Sequence, residues 1–401
     1  MASSTKSHSS RHCLIFDPVP FNGGSKVASY EMVRQSLKSE VNFTVLTCDP
    51  DSWRAAWPKS MPFNMVTFHK PGGLSKATSG WQYWLKHLYF MLMICLCLLK
   101  HRSVTTLIGI SGPGVDMALY GCRKLLRYRL IQFIHGPVPC SGSVGYCLTQ
   151  ADRVFYLPST LNSMRRSVSH YFNRWLPDNS GEALANYLLA TKQYQPFING
   201  IGHSQWPTAS HYSGAGLLWA ASLLKWKGLD IMVDALRLLP DEHPLRCDIC
   251  FIRPHNINLP HSKAPVTLPG VSWHEQPQDL DSIRANSSIF VSTSQQEPFG
   301  LSILEALAAG LCVVIPQDGS YWDQKLRHNV NCIKYTPNCP IALAQTLKYL
   351  ISDRVCLRQI GQAGQLYAEN YRAETCYLPI VQYLSSCTEH SVPLKTGQYY
   401  A

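Results

Sequence analysis

The sequence predicts an α/β fold made of two doubly wound, Rossmann-like domains. Short apolar runs alternate with helical patterns along the whole chain, which is typical of parallel sheets covered by helices on both faces. At 401 residues the chain is too long for one ordinary core. Its 46% hydrophobic and 15% charged residues indicate a folded globular protein and exclude a disordered or fibrous one.

Ten apolar runs are the predicted strands. They span residues 12–16, 43–48, 65–69, 104–110, 129–135 and 153–157 in the first half, and 216–222, 247–252, 288–293 and 311–316 in the second. Residues 199–214 are rich in Gly, Ser and Pro and lack periodicity, so we expect them to link the domains.

The resulting domain prediction has three parts. Residues 1–205 form an N-terminal Rossmann-like domain and residues 206–375 a C-terminal one. Residues 376–401 form a helix and a tail, with a return of that helix to the first domain as one option. Two doubly wound domains facing each other leave a cleft lined by strand carboxyl ends, where such sheets bind ligands.

The net charge of +11 is concentrated in the first half of the chain. Residues 1–205 carry 21 Lys and Arg against 9 Asp and Glu, whereas residues 206–401 carry 15 against 16. The first domain therefore suits an anionic surface or acceptor, or is simply a soluble basic domain. No basic run interleaved with stacking aromatic residues indicates a nucleic-acid groove, so we expect no nucleic-acid partner.

The cysteines do not predict a disulfide framework or a metal site. All 15 are scattered through a long chain, which indicates reduced and mostly buried thiols. Cys247 and Cys250 form a lone Cys-x-x-Cys pair on a predicted strand, where residues three apart face opposite ways.

The longest apolar run, residues 88–99, has twelve residues between flanking basic ones. A bilayer span needs about twenty. The run predicts a buried helix, and a shallow membrane-surface helix is the alternative.

The segment EPFGLSILEALAAG, residues 297–310, has a glutamate on each side of a Pro-Phe-Gly turn. It follows a predicted strand and continues into an amphipathic helix that Gly310 should end. The backbone N–H groups of Phe299, Gly300 and Leu301 would then lie at a helix N-terminus, which attracts phosphate.

The two glutamates suit the two ends of a nucleotide sugar. Glu305 lies about four residues into the helix, roughly 6 Å along its axis, which suits a carboxylate that binds ribose hydroxyls while the N–H groups hold a diphosphate. Glu297 precedes the turn, where it would reach the sugar. The alternative is one helix-capping glutamate and one exposed glutamate.

With its flanking residues, this segment resembles the Glu-x7-Glu motif of glycosyltransferase family 4. That family consists of retaining enzymes of the group 1 type with the two-domain GT-B fold. The similar segments LCVVIPQDG, ADRVFYLPS, PFINGIG and WKGLDIMVDALRLL extend the resemblance over most of the chain. The resemblance implies the GT-B fold and a nucleotide-sugar donor. It also implies that residues 1–205 are the acceptor-binding domain and residues 206–375 the donor-binding domain.

In the first domain, the resemblance implies roles for three residues. PFNGGSKVASYEMVRQSL is similar to the family's glycine loop, so Gly23 and Gly24 would let the backbone approach donor phosphates or acceptor. FIHGPV is similar to the strand that ends in a cleft histidine, so His135 would approach the transferred sugar. An ordinary strand-to-helix turn and a structural histidine are the alternatives.

In the second domain, the resemblance implies that Lys227 holds the donor diphosphate as a compact cation. Five residues earlier, where the family usually has a phosphate-binding arginine, this chain has Ser222. Lys225 would supply a positive charge in place of that arginine. Its ammonium is a point charge and cannot form the two parallel hydrogen bonds of a planar guanidinium. Asp323, in DGSYWD, stands where a glutamate is common. We expect all four residues at the donor site, with rate and donor affinity altered by the missing arginine.

The resemblance implies a retaining, metal-independent transferase with no cofactor, in which Glu297, Lys227 and His135 are catalytic. A sugar would pass from a nucleotide-diphosphate donor, UDP by preference, to a glycan or lipid-linked acceptor in polysaccharide, lipopolysaccharide or glycolipid assembly. The alternative is a noncatalytic nucleotide-sugar-binding or partner protein that kept the fold.

We expect a cytoplasmic location, with peripheral binding to the inner face of the cytoplasmic membrane as an option. That option rests on the segment CRKLLRYRLI, whose basic residues could contact anionic headgroups. They are Arg123, Lys124, Arg127 and Arg129.

Overall fold

The computed structural model describes residues 11–20, 23–57, 59–70, 72, 77–176, 178, 180–212, 216–239, 246–254 and 259–386. The chain divides into two compact units, each built on one parallel sheet.

The first unit contains seven parallel strands in the spatial order β3-β2-β1-β4-β5-β6-β7. They are β1 (Arg11–Asp17), β2 (Val41–Thr47), β3 (Asn64–Thr67), β4 (Val104–Gly109), β5 (Arg129–Ile134), β6 (Arg153–Tyr156) and β7 (Tyr194–Pro196). The helices between them are α1 (Gly24–Leu37), α2 (Pro50–Ala56), α3 (Gly80–Lys100), α4 (Met117–Leu126), α5 (Gly142–Gln150), α6 (Leu161–Phe172) and α7 (Gly181–Leu189).

The second unit contains six parallel strands in the order β10-β9-β8-β11-β12-β13. They are β8 (Leu217–Ser222), β9 (Cys247–Ile252), β10 (Val271–Glu275), β11 (Ile289–Val291), β12 (Cys312–Pro316) and β13 (Ile333–Tyr335). Its helices are α8 (Leu229–Arg237), α9 (Leu280–Ala285), α10 (Leu301–Ala308), α11 (Tyr321–Lys325), α12 (Pro340–Ser352), α13 (Arg354–Ala368) and α14 (Ala373–Cys376).

Both sheets are doubly wound, because the strand order reverses once in each. In the first sheet the reversal lies between β1 and β4, where Ile15 pairs with Ile108. In the second it lies between β8 and β11, where Leu217 pairs with Ile289. Ligands of such sheets bind outside the strand carboxyl ends at this switch point.

The central strands are buried on both faces, and this is why they are continuous apolar runs. Residues Cys247 to Phe251 of β9 are all buried, as are all five residues of β12. Fully buried side chains include Phe16 in the first core and Trp219 in the second. Burial at both faces removes the alternation of apolar and polar residues that half-exposed strands show.

All ten predicted strands occur, with ends shifted by one or two residues. The structure adds three strands that the sequence did not predict, namely β7, β10 and β13. Each of the three lies at the end of a sheet and, among the described residues, pairs with a strand on one side only. Edge strands are short and partly exposed, so they lack a long apolar run.

The division between the units falls after Phe197, eight residues before the predicted boundary. The described part of the predicted linker packs on the second unit. Ser210 N donates to the carbonyl of Ala309 (2.7 Å), and the Tyr212 hydroxyl donates to that of Gly310. Residues 213 and 214 of the predicted linker lie outside the described residues.

The chain returns to the first unit after Cys376, through the last described helix, α15 (Leu378–Ser386). Arg11 Nη1 donates to the carbonyl of Leu384 on this helix (2.7 Å). The guanidinium of Arg153 lies 4.3 Å from the centre of the Tyr383 ring. The predicted tail, residues 387–401, lies outside the described residues.

Helix α3 contains the longest apolar run, and the prediction that this run is buried was wrong. The helix has 21 residues, of which His87, Phe90, Ile94, Cys97 and Leu98 are buried. Much of its remaining apolar surface is exposed. By length and composition alone, it is the one helix in the described ranges that could cross a membrane.

The basic segment at residues 123–129 also differs from the prediction. Arg123 forms an ion pair with Asp152 (Nη2 to Oδ1, 2.6 Å) and is partly buried. Arg129 is partly buried as well, whereas Lys124 and Arg127 are exposed. The segment therefore offers two exposed cations, not four.

Candidate functional site

Two loops meet at the switch point of the second sheet. One leaves β8 and makes a single 3-10 turn, Lys225–Lys227, before α8. The other leaves β11 and leads to α10. Gln295 N donates to the carbonyl of Trp226 (2.8 Å), and the Thr293 hydroxyl donates to that of Lys227 (3.0 Å). These bonds fix the two loops against each other.

Gly228 permits this close approach. Its φ of +72° lies in the left-handed region, and a Cβ at this position would overlap the carbonyl oxygen of Thr293. Only glycine meets both conditions without strain. The Trp219 indole, which donates to the Thr293 hydroxyl (2.9 Å), supports the loop from the core.

The two loops bring together two of the predicted catalytic residues. Lys227 Nζ lies 2.5 Å from Glu297 Oε2, and the two side chains are only 18% and 11% exposed. The same ammonium lies 4.1 Å from the centre of the Trp226 ring. Charges shielded from water interact more strongly than exposed ones, so the attraction between Lys227 and Glu297 is stronger than in a surface ion pair.

The backbone of residues 299–301 lies at the amino end of α10. Helix α10 begins at Leu301 after Gly300, whose φ is +76°. The first N–H groups of a helix have no intrahelical acceptor and can bind an anion. The Phe299 ring is buried against Tyr321 at a centroid distance of 4.9 Å, so its side chain serves the core.

Glu297 lies directly beside this turn. A Cβ on Gly300 would be 2.9 Å from the Cγ of Glu297, so glycine leaves room for the carboxylate stem. The carboxylate, the ammonium of Lys227 and the amino end of α10 therefore belong to one small region.

Glu305 is held by a different cation. Its Oε2 accepts a hydrogen bond from Arg284 Nη2 (2.5 Å), and the Arg284 side chain is 8% exposed. Arg284 Nη1 also binds Asp281 (2.9 Å). Sequence reasoning missed Arg284, because a single basic residue in a short helix has no distinguishing pattern.

The remaining predicted donor-site residues of this unit occupy three different settings. Ser222 is the last residue of β8. Lys225 pairs with Asp230 (3.0 Å), and both side chains are about half exposed, at 57% and 43%. Asp323 accepts from Gly319 N (2.7 Å) and pairs with Lys334 (2.7 Å), so it orders the loop before α11.

A cavity of 360 Å³ adjoins the Lys225–Lys227 turn. Its wall combines charged and apolar groups from the two loops, the start of α8 and the segment before β10, which are Lys225, Trp226, Gly228, Asp230, Ile231, Leu259, Pro260 and Gln295.

In the first unit, His135 follows β5 and has an apolar environment. Its ring centre lies 6.1 Å from that of Phe133 and 5.5 Å from that of Phe197. Both ring nitrogens are buried, and neither has a hydrogen-bond partner in the described part of the chain. Burial lowers the pKa of His135 to about 4, so the imidazole is neutral at pH 7.

The predicted glycine loop is anchored by an ion network that the sequence did not reveal. Lys26 is 3% exposed and pairs with Asp17 (3.0 Å) and Asp49 (2.7 Å). It also donates to the carbonyl of Val19 (2.7 Å). Gly24 begins α1, and a Cβ there would meet nothing within 4 Å. Gly23 precedes it; residues 21 and 22 lie outside the described residues.

Asp116, at the start of α4, is a second buried group that sequence reasoning missed. It accepts hydrogen bonds from Gln132 Nε2 (2.8 Å) and Ser111 N (2.9 Å) and is fully buried. Burial raises the pKa of Asp116 to about 7, and the nearby Asp17 carboxylate adds to the shift.

Comparison with known proteins is consistent with this geometry. Residues 215–367 match the model of the family described as Glycosyl transferases group 1, a range that includes Lys227, Glu297 and Glu305. By sequence, no curated protein matches the chain.

Several solved structures share the fold over almost the whole chain. The complex of Anabaena HepE with UDP and glucose has a TM-score of 0.67 at 16% identity, covering 94% of this chain and 100% of HepE. Sucrose-phosphate synthase from Thermosynechococcus elongatus has a TM-score of 0.66 at 14% identity, covering 94% and 99%. WaaG, a glycosyltransferase involved in lipopolysaccharide biosynthesis, has a TM-score of 0.56 at 12% identity, covering 93% and 99%. The predicted fold class, α/β with two Rossmann-like domains of the GT-B type, is thereby confirmed.

Proposed function

We propose that this protein is a glycosyltransferase that moves a sugar from a nucleotide-diphosphate donor to an acceptor hydroxyl. The observation that carries the proposal is the Lys227–Glu297 pair, held at the switch point of the second sheet beside the amino end of α10. The match of residues 215–367 to the group 1 glycosyl transferases supports it. UDP is the favoured nucleotide because HepE was crystallised with UDP, and with UDP-glucose.

In the proposed reaction, the bond between the anomeric carbon and the diphosphate oxygen breaks as the acceptor oxygen bonds to that carbon. The acceptor proton passes to the leaving diphosphate, so the products are the glycoside and the nucleoside diphosphate. Negative charge builds on the leaving group, and Lys227 with the N–H groups of residues 299–301 would stabilise it. Because these groups are already in place, the site needs little reorganisation.

Three further roles follow from the same proposal. Glu297 would hold the donor sugar, and it need not form a covalent bond to it. His135 would donate or accept one hydrogen bond to the sugar, since its ring is neutral and neither nitrogen has a hydrogen-bond partner among the described residues. Glu305 would bind the ribose while Arg284 fixes its carboxylate.

The finer parts of the proposal are retention of configuration, independence of metal ions, and a role in polysaccharide, lipopolysaccharide or glycolipid assembly in the cytoplasm. Retention and metal independence rest on the resemblance of EPFGLSILEALAAG to family 4. The similarity in fold to WaaG supports the pathway proposal.

The test is to incubate the chain with a panel of nucleotide sugars and acceptors and to measure released nucleoside diphosphate. We expect release that needs both substrates, survives a chelator, and yields a product with the anomeric configuration of the donor by NMR. Lys348→Ala, an exposed change on α12, serves as the active control. Donor binding without turnover across the panel would favour the noncatalytic alternative, and the absence of any donor binding would refute both.

A further inference from the structure

Helix α3 has two different apolar faces. One packs into the first core through Phe90 and Ile94, which are 1% and 0% exposed. The opposite face leaves large apolar side chains between 46% and 71% exposed, namely Trp81, Trp84, Leu88, Leu92, Leu96 and Leu99. Their spacing of three or four residues places them in one stripe along the helix. A stripe of this size on a soluble surface indicates an interaction site.

The end of α4 widens this stripe. The Tyr83 hydroxyl donates to the carbonyl of Gly114, before α4, and the Cys122 thiol lies 3.8 Å from the carbonyl of Met91. The two helices therefore run parallel, and the end of α4 lies beside the second half of α3. There Leu125 and Leu126 are 68% and 47% exposed.

A shallow groove of 770 Å³ follows α3. Apart from His69 its wall is apolar or aromatic, with Leu85, Leu88, Tyr89, Met91, Leu92 and Cys95.

The chain segment that contains this surface is rich in basic residues. Residues 52–151 contain 11 Lys and Arg but a single acidic residue, Asp116, which is fully buried. Lys100 and Arg102 are exposed at the end of α3, and Lys124 and Arg127 at the end of α4. A partner for this surface must therefore combine an apolar interior with negative charge at its edge.

We propose that α3 and the end of α4 form a docking surface for an anionic lipid bilayer, with α3 lying in the plane of the interface. The stripe would enter the boundary between headgroups and acyl chains, and the four basic residues would contact the headgroups. Trp81 and Trp84 suit the same boundary, because indole has an apolar ring and a polar N–H. The core-facing side of α3 is committed to the first sheet, so the helix does not span the bilayer.

The bilayer is favoured over a second copy of the chain as occupant. A symmetric dimer through this stripe would bring the basic ends of α3 and α4 toward their own copies, and like charges across an interface are unfavourable. An anionic membrane supplies the complementary charge. This proposal is independent of the donor chemistry, since every residue that carries it lies in the first unit.

The test uses the full chain and co-sedimentation with vesicles of phosphatidylcholine alone or mixed with phosphatidylglycerol. We expect binding to the mixed vesicles that weakens with salt, and little binding to the neutral ones. Leu92→Glu with Leu96→Glu should lower the partition coefficient at least about tenfold. The matched control, Val355→Glu with Leu366→Glu, adds the same charge at exposed apolar positions on α13 and should bind as the wild type does.

A second pair of variants tests the basic edge. Lys124→Ala with Arg127→Ala should weaken binding roughly tenfold to thirtyfold, at about 1 kcal/mol for each basic residue. Lys348→Ala with Arg354→Ala, which removes two exposed cations from the second unit, should have little effect. Brominated lipids should quench tryptophan fluorescence in the wild type and less in Trp81→Phe with Trp84→Phe.

Several results would overturn the proposal. The first is no binding to either kind of vesicle. The second is binding that does not depend on lipid charge or salt concentration. The third is an equal loss of vesicle binding in the test variants and their matched controls. Self-association in the absence of lipid, abolished by the Leu92 and Leu96 substitutions in analytical ultracentrifugation, would assign the stripe to a dimer instead.

Discussion

Lys227 and Glu297 form an ion pair with each other. Their contact is 2.5 Å long and largely shielded from water. A bound diphosphate would therefore either displace Glu297 from the Lys227 ammonium or contact the ammonium while Glu297 stays bound to it. In either case, Lys227 interacts most strongly when negative charge develops on the leaving group.

We predict that Lys227→Ala lowers kcat more than it weakens donor binding. Interactions that strengthen only in the transition state act on kcat, and removal of one such donor costs roughly a hundredfold to a thousandfold. Turnover and donor Kd should be measured together, with Lys348→Ala as the control. Equal turnover in the variant and the wild type would remove Lys227 from the reaction.

We predict that Glu305→Ala weakens nucleotide binding by about tenfold to a hundredfold, because one hydrogen bond to a charged group is worth roughly 1.5 to 3 kcal/mol. The fold should survive, since Arg284 keeps its contact with Asp281. Glu369→Ala, which breaks a surface pair with Arg372, is the control for calorimetric titration. An unchanged Kd would show that Glu305 is only a structural partner of Arg284.

Asp116 makes the stability of the protein depend on pH. Its pKa is raised from 3.8 to about 7, so between these values the folded state holds a proton that the unfolded state has lost. The stability contribution is therefore present at low pH and is lost as pH rises, by roughly 4 kcal/mol between pH 4 and 7. Asp116→Asn should match the wild type near pH 4 and be more stable at pH 8. Parallel profiles of unfolding free energy against pH would contradict this assignment.

At the scale of elements, the site depends on the contact between the loops after β8 and β11. Neither loop forms the ion pair alone, because Lys227 comes from the first and Glu297 from the second. The contact requires a residue without a side chain at position 228, since the carbonyl of Thr293 fills that space.

We predict that Gly228→Ala destabilises the second unit by roughly 2 to 5 kcal/mol and abolishes donor binding, because it adds steric overlap to the cost of a positive φ. Gly319→Ala is the matched control. Its φ is +75° and a Cβ there meets nothing within 4 Å, so it should cost only about 1 to 2 kcal/mol. Similar losses in the two variants, measured by denaturant unfolding, would show that the loop contact is not tight.

At the scale of the whole molecule, Lys227, Glu297 and Glu305 of the proposed donor site all lie in the second unit. A ligand that binds only the folded protein stabilises it in proportion to the logarithm of its concentration. Donor binding can therefore be detected as an increase in the stability of the protein, without measuring turnover.

We predict that a nucleoside diphosphate at a hundred times its Kd stabilises the fold by about 2.7 kcal/mol. Hydrogen-exchange protection should concentrate in residues 222–228 and 295–305, with smaller changes in the first unit. A panel of nucleotides in thermal unfolding identifies the base, and Gly228→Ala should remove the response. Protection centred in the first unit would move the donor site there.

The sequence by itself determined the repeated strand and helix pattern, the ten continuous strands and the EPFGLSILEALAAG segment. These features are local, since a strand buried on both faces is apolar throughout and a helix that begins after a glycine turn is visible in neighbouring residues. It also indicated that Gly310 would end α10, and the φ of that residue is +81°.

Only the tertiary structure decided the features that depend on distant residues. The strands β7, β10 and β13 form because a neighbouring strand offers them hydrogen bonds, although their own residues lack a clear apolar run. Arg284 acquires its role only when its side chain meets Glu305 of α10. Lys26 acquires its partners only when the end of β1 and the loop before α2 come together. The exposure of α3 could not be predicted either. A run of apolar residues looks the same in the sequence whether or not other elements of the fold cover it.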